Sequence, residues 1–155
     1  LAVQFLHKWG CEVYAFTSSA AKRTEALQLG AQHTVDSRDP AAMAELAGAL
    51  DFLLVTANVP LAWDALLATL APQGRMHIVG AVLEPIPVPA FALITGQKSI
   101  SGSPLGSPAL ITRMLAFCAR HRIAPQVEYF PMAQVNTALA RVRSGQARYR
   151  VVLTA

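Results

Sequence analysis
The chain has 155 residues, enough for one domain with a real core and too few for two complete ones. Hydrophobic residues make up 54% of it, but Asp, Lys, Arg, Pro or Gly breaks every apolar run before the roughly 18 residues a membrane helix needs, which excludes a membrane-spanning class. The net charge of +4 is spread over thirteen Lys and Arg without a block of like charge; this argues against a nucleic-acid partner and for a small anionic ligand.

The opening LAVQFLHKWG reads as a helix with apolar Leu1, Val3, Phe5, Leu6 and Trp9 and with Gly10 as its stop. It has no N-cap residue, so it is expected to be a helix caught part-way, with further chain upstream. CEVYAFT alternates as a strand, and AAKRTEALQLG follows as a helix ending at Gly30. HTVDS is a short strand, and DPAAMAELAG is a helix with Asp39 as N-cap and Pro40 in its first position. DFLLVTA is a continuous apolar strand, expected to be buried on both faces. PLAWDALLATL is a helix stopped by Pro72 and Gly74, followed by the strand GRMHIVGA. Pro85, Pro87 and Pro89 make VLEPIPVPAFALITG an extended connection or edge segment. KSISGSPLGS is a strand running into a turn, and PALITRMLAFCARHR is a helix with an apolar stripe and a cationic end. PQVEYFP, MAQVNTALARVRSG and ARYRVVLTA complete the chain as strand, helix and strand. Strands alternating with helices of about ten residues predict an α/β fold, a doubly wound parallel sheet.

In such a sheet ligands bind beyond the carboxyl ends of the strands, here Thr17 to Ser19, Ser37 to Asp39, Thr56 to Asn58 and Gly80 to Val82. A dinucleotide fold that prefers NAD places an acid after its second strand to accept from the ribose 2′-hydroxyl. FTSSAAKR offers Thr17, Ser18 and Ser19 instead, followed by Lys22 and Arg23 at a helix N-terminus, a setting for a 2′-phosphate and hence for NADP(H). The same residues are also explained by Ser19 capping the helix and by a solvated cationic face. No G-x-G-x-x-G phosphate loop occurs in the chain. Cys11 and Cys118 stand alone and read as small core residues of a reducing, cytoplasmic compartment, and no leader peptide is visible. His7, His33, His77 and His121 show no metal-ligand spacing, and Trp9 and Trp63 read as core residues.

The runs EVYAFTSSAAKRTEALQLGAQHTVDSRD, NVPLAWDALLATLAPQGRMHIVG, PIPVPAFALITGQKSISGSPLGS and QVNTALARVRSGQARYRVVL, in that order, resemble the C-terminal half of zinc-dependent medium-chain alcohol dehydrogenases. The resemblance is strongest to their cinnamyl alcohol dehydrogenase-like, NADP-preferring branch. It implies a Rossmann-type sheet lacking its first strand and glycine loop over residues 1–122, and a strand-helix-strand of the GroES-like catalytic domain over 123–155. It implies that Thr17, Ser18 and Lys22 hold the 2′-phosphate. Thr56, Val79, Gly80, Ser103, Pro104 and Leu105 would line the nicotinamide side. Arg150 would face the pyrophosphate, with Arg148 as its competitor.

The implied activity is hydride transfer between NADP(H) and a primary alcohol or aldehyde, in a homodimer built through the edge strand around Ser99 to Ser103. The family's zinc ligands and proton relay lie N-terminal to the matched region. No catalytic residue and no metal ligand is therefore assigned here, and the chain alone is expected to be an inactive fragment. Two alternatives remain open: a zinc-free quinone or enoyl reductase of the same superfamily, and a nucleotide-binding domain without redox chemistry.

Overall fold
The computed structural model describes all 155 residues, Leu1–Ala155. In chain order the elements are α1 (Ala2–Lys8), β1 (Tyr14–Phe16), α2 (Ala20–Gln28), β2 (His33–Val35), α3 (Pro40–Glu45), β3 (Leu50–Val55) and α4 (Trp63–Thr69). They continue with β4 (Leu70–Ile78), α5 (Ala90–Ile94), β5 (Ser99–Gly102), α6 (Pro108–His121), β6 (Val127–Pro131), α7 (Val135–Arg143) and β7 (Arg150–Thr154). A single 3-10 turn, Met132–Gln134, leads into α7.

Local chemistry sets most of these boundaries. Asp39 Oδ1 accepts from the Ala41 N–H at 2.9 Å, with Pro40 in the first helical turn, and Ser107 Oγ accepts from the Leu110 N–H at 3.3 Å ahead of Pro108. Gly10, Gly30 and Gly145 follow the C-caps of α1, α2 and α7 with φ of 84°, 107° and 68°. α6 ends without a glycine: Arg122 enters the left-handed region at φ 55°, and the Ile123 N–H donates to the Cys118 carbonyl at 3.0 Å.

Every strand pair is parallel, as strand-helix alternation requires. The pairs form three ladders, β1–β2, β3–β4–β5 and β6–β7. In the doubly wound order 3-2-1-4-5-6, the first two ladders are the 3-2 and 4-5-6 parts. This matches a Rossmann-like sheet without its first strand.

The core lies on one face of β3–β4–β5. Alternation sends Leu53, Val55 and Met76 to the same side, where Trp63, Leu66 and Leu67 of α4 cover them together with Leu70, Val35 and Met43. The other face stays half open, with Phe52 44% exposed, so the apolar run of β3 is buried on one side only. α1 and α6 bury no residue; they meet through rings, with Phe5 stacked on Phe117 at 5.9 Å and Trp9 beside Phe117 at 5.8 Å. Trp9 is 63% exposed and Cys11 is exposed, so neither is the core residue its sequence context predicts.

Two further expectations change. Pro72 and Gly74 do not stop α4; that helix ends at Thr69 because Leu70 turns extended (φ −71°, ψ 131°) to pair with Leu50. Pro72 and Gly74 then lie within β4, where the register shifts between Leu50 and Phe52 and Gln73 adopts φ 65°. The proline-rich connection contains the short helix α5, which starts immediately after its N-cap Pro89. All three prolines precede the helix, where no helical N–H is lost.

Candidate cofactor-binding site
The carboxyl ends of β1, β3, β4 and β5 carry most of the predicted site residues. Thr17 continues β1 by donating its N–H to the Val35 carbonyl at 2.9 Å. Its Oγ1 accepts from the Ser19 N–H at 3.2 Å, and Ser19 Oγ in turn accepts from the Lys22 N–H at 3.4 Å. A hydroxyl that accepts from the backbone keeps its own hydrogen to donate. Thr17 and Ser19 therefore retain O–H donors at the N-terminus of α2, and Ser18 takes part in neither bond. Capping and anion recognition are compatible here, because the cap uses the lone pairs and an anion would use the hydrogens.

The two cations of this turn have different surroundings. Arg23 reaches Asp36 Oδ2 through Nη2 at 3.4 Å, while its Nε is buried without a partner. Lys22 is exposed and belongs to none of the four ion pairs. Asp36, at the end of β2, is already engaged by Arg23 and by the Arg38 N–H at 3.0 Å. No acid follows β1 itself. The donor set suits a phosphate: hydroxyl hydrogens, a free ammonium and an orphaned guanidinium N–H.

At the other end, Val79 and Gly80 both donate N–H groups to the Val55 carbonyl, at 3.0 and 3.1 Å. This draws Thr56 and Ala57 against the turn that follows β4. A Cβ on Gly80 would lie 1.8 Å from the Ala57 carbonyl oxygen, so only glycine fits that approach. Ser103 joins the group through its N–H, 3.4 Å from the Ile78 carbonyl. Thr56, Val79, Gly80 and Ser103 thus lie in a row across β3, β4 and β5, with Pro104 and Leu105 exposed beside them. His77 bridges Ser101 Oγ and Ser103 Oγ, each at 2.9 Å, a triad that sequence reasoning missed. Its signal is present in MHI and SISGS, but only the parallel register of β4 on β5 aligns the two runs.

Arg150 opens β7, in a ladder apart from the other site residues, and is exposed without a carboxylate partner. Its competitor Arg148 is committed: Nε holds Glu25 Oε1 at 2.8 Å, and the backbone N–H holds Glu128 Oε1 at 2.7 Å. Tyr149 donates its hydroxyl to the other Glu25 oxygen, and Arg141 Nε bonds Glu128 Oε2 at 2.9 Å. Hydrogen bonds from Tyr149 and then Arg148 hold the Glu25 carboxyl below the ordinary range. Burial, followed by the bond to Glu25, pushes the Tyr149 hydroxyl up to about 12. This network links α2 to the β6–β7 segment across 123 positions of sequence, a separation that no local pattern reveals.

The histidines are dispersed. His33 meets Glu12 at 2.7 Å and stacks on Tyr14, His7 touches Gln32 at 3.3 Å, and His121 lies against Phe117. No three His, Cys, Asp or Glu side chains come close enough to hold a metal, so the residues of this chain do not fit a zinc site.

Comparison with known proteins accords with this geometry. A family model described as zinc-binding dehydrogenase matches residues 1–120. Aldehyde reductase AdhA from Synechocystis sp. is 54% identical over 154 residues, 99% of this chain and 46% of that protein. Among solved structures, a cinnamyl alcohol dehydrogenase (SbCAD4) from Sorghum bicolor superposes with a TM-score of 0.93 at 39% identity, over 98% of this chain and 43% of the other. CAD from Helicobacter pylori, complexed with NADP(H), superposes with a TM-score of 0.83 at 26% identity, over 98% of this chain and 43% of the other. The chain spans about half the length of the curated relatives it matches. With its parallel Rossmann-like ladders and this match over most of its length, the chain belongs to the zinc-binding dehydrogenase family.

Proposed function
We propose that the chain binds NADP(H) for an oxidoreductase that interconverts primary alcohols and aldehydes. The carrying observation is the turn after β1, where Thr17 and Ser19 accept from backbone N–H groups and so keep their own O–H donors, Lys22 forms no ion pair and Arg23 Nε lacks an acceptor. On this reading Thr17, Ser18 and Lys22 take the 2′-phosphate, with Arg23 beside them. Arg150 takes the pyrophosphate, and Thr56, Val79, Gly80, Ser103, Pro104 and Leu105 line the nicotinamide. The NADP(H) of the Helicobacter pylori neighbour supports the choice of cofactor. When bound, the nicotinamide supplies the hydride chemistry, and the protein supplies orientation and charge.

Residues 1–122 form the nucleotide-binding part on this reading, and residues 123–155 belong to the catalytic domain. The edge strand β5 would serve a dimer. On this reading the groups that act on the alcohol or aldehyde lie outside these residues, and the 155-residue chain by itself is inactive. Calorimetric titration of the purified chain should show NADPH binding at least tenfold tighter than NADH, the value of one charge-assisted hydrogen bond. Equal affinity for the two would overturn the assignment. NADPH-dependent aldehyde reduction by the same chain would overturn its inactivity.

A further inference from the structure
We propose that His77 is a positioning residue: it fixes the Ser103 hydroxyl, and with it the turn Ser103–Pro104–Leu105, towards a ligand that carries a carboxamide. The identity of that ligand rests on the cofactor reading above. The parallel register pairs His77 with Ser101, and the alternation of β4 turns His77 away from the core side occupied by Met76. On this outer side the imidazole lies between two hydroxyls, with Nδ1 2.9 Å from Ser101 Oγ and Nε2 2.9 Å from Ser103 Oγ. Phe52 flanks the ring at 6.4 Å, with the two planes 25° apart.

Both ring nitrogens are therefore occupied, and that dictates a direction. A neutral imidazole has one N–H and one lone-pair nitrogen, so one serine must donate to His77 and the other must accept from it. If Nε2 carries the hydrogen, Ser103 accepts it and turns its own O–H outward. If Nδ1 carries it, Ser103 donates inward and shows lone pairs outward. In either tautomer a hydroxyl with three staggered rotamers is held in one. A carboxamide has both N–H donors and a carbonyl acceptor, so it can pair with Ser103 in either case. Ser103 is exposed at the end of β5, next to the turn where Val79 and Gly80 close on Val55, and it is free to make that bond.

The test uses the 155-residue chain and three variants. H77F keeps a ring but removes both nitrogens, H77Q keeps a donor and an acceptor, and S103A removes the held hydroxyl. Two ligands are titrated: NADPH, and adenosine 2′,5′-bisphosphate, which has the 2′-phosphate and no nicotinamide. H77F should weaken NADPH about tenfold and leave the bisphosphate unchanged, and H77Q should recover part of the loss. Long-range 1H–15N spectra should show His77 in a single tautomer, and S103A should disturb it. Unchanged NADPH affinity in H77F, or an equal loss for both ligands, overturns the proposal. If the wild-type chain binds neither ligand, the cofactor reading falls separately and the spectra decide the role of His77. A locked tautomer that S103A releases then upholds the positioning of Ser103, and an averaged ring in the wild type refutes it.

Discussion

Replacing Lys22 with alanine isolates the charge that the cofactor reading needs. The substitution leaves the helix cap intact, because Ser19 Oγ accepts from the backbone N–H of residue 22 and not from its side chain. It breaks no ion pair, since Lys22 forms none. The stability of the fold should therefore change by less than about 0.5 kcal/mol, as for other exposed substitutions away from structural features. The NADPH complex should lose one charge-assisted hydrogen bond to the 2′-phosphate, worth about 1.5–3 kcal/mol. Lys22 is exposed and so is screened by salt, which places the loss at the lower end, about tenfold in affinity at physiological ionic strength. NADH has no 2′-phosphate and should bind K22A as it binds the wild type. Adding Thr17→Asp with Lys22→Glu should reverse the preference, because an acid after β1 accepts from a ribose hydroxyl and repels a phosphate. Fluorescence titration of both nucleotides at two ionic strengths measures all of these effects. An equal loss for NADPH and NADH in K22A, or an unchanged NADPH/NADH ratio in the double variant, would refute the 2′-phosphate assignment.

Other consequences are open to equally direct measurement. Gly80→Ala puts a methyl 1.8 Å from the Ala57 carbonyl oxygen, so the 56–58 turn must move; about 1–3 kcal/mol of destabilisation should appear as a lower urea midpoint. Leu67→Ala, in a side chain only 2% exposed against the sheet, should cost about 2–5 kcal/mol in the same assay. Glu25 and Glu128 are held below the ordinary value of 4.5, the first by Tyr149 and Arg148 and the second mainly by Arg141. With folded-state values depressed, their contribution is present above the unfolded value and is lost as pH falls through 4.5 and below. The pair E25Q and E128Q should flatten that acid limb in unfolding curves taken between about pH 3 and 7. Tyr149 has the opposite sign: with its hydroxyl raised to about 12, its stabilisation holds below pH 10 and fades between 10 and 12. Y149F should remove that alkaline limb.

What the sequence revealed was local chemistry. Asp39–Pro40 and Ser107–Pro108 start α3 and α6, and Gly10, Gly30 and Gly145 follow three helix C-caps, because capping and left-handed backbone depend on neighbouring residues. The alternation of strands and helices was enough to predict parallel pairing. The misses share a different cause. Pro72 and Gly74 look like helix stops, yet the pairing of Leu70 with Leu50 decides where α4 ends. The prolines before α5 mask a helix that needs only the five residues after them. FLLV, after Asp51, is apolar throughout, but sequence cannot tell which side a covering helix will occupy, and only Leu53 and Val55 are buried. In the turn after β1, the capping of α2 by Ser19 was legible from residue types. The commitments of Arg148 to Glu25 and of His77 to two serines require partners brought together by folding.

Lys22 and Arg23 are adjacent cations in the sequence, and the structure separates their roles because α2 is anchored on two sides. Successive residues of a helix point about 100° apart. Arg23 can thus reach across to Asp36 at the end of β2 while Lys22 faces solvent. Two residues beyond Arg23, Glu25 points towards the C-terminal segment and takes both Arg148 and Tyr149. One guanidinium and one carboxylate, on different faces of the same short helix, therefore fix it to β2 and to the approach to β7. The Lys22 ammonium, by contrast, is exposed and makes no direct ion pair. The anchoring also engages Arg148, whereas Arg150 is exposed and forms no ion pair. A sheet whose ladders are not joined to one another gains from such links, because α2 relates the first ladder to the third without any shared backbone hydrogen bond. On the proposed cofactor reading, the groups that immobilise α2 matter to recognition of a phosphorylated ribose because they set where Thr17, Ser18 and Lys22 stand.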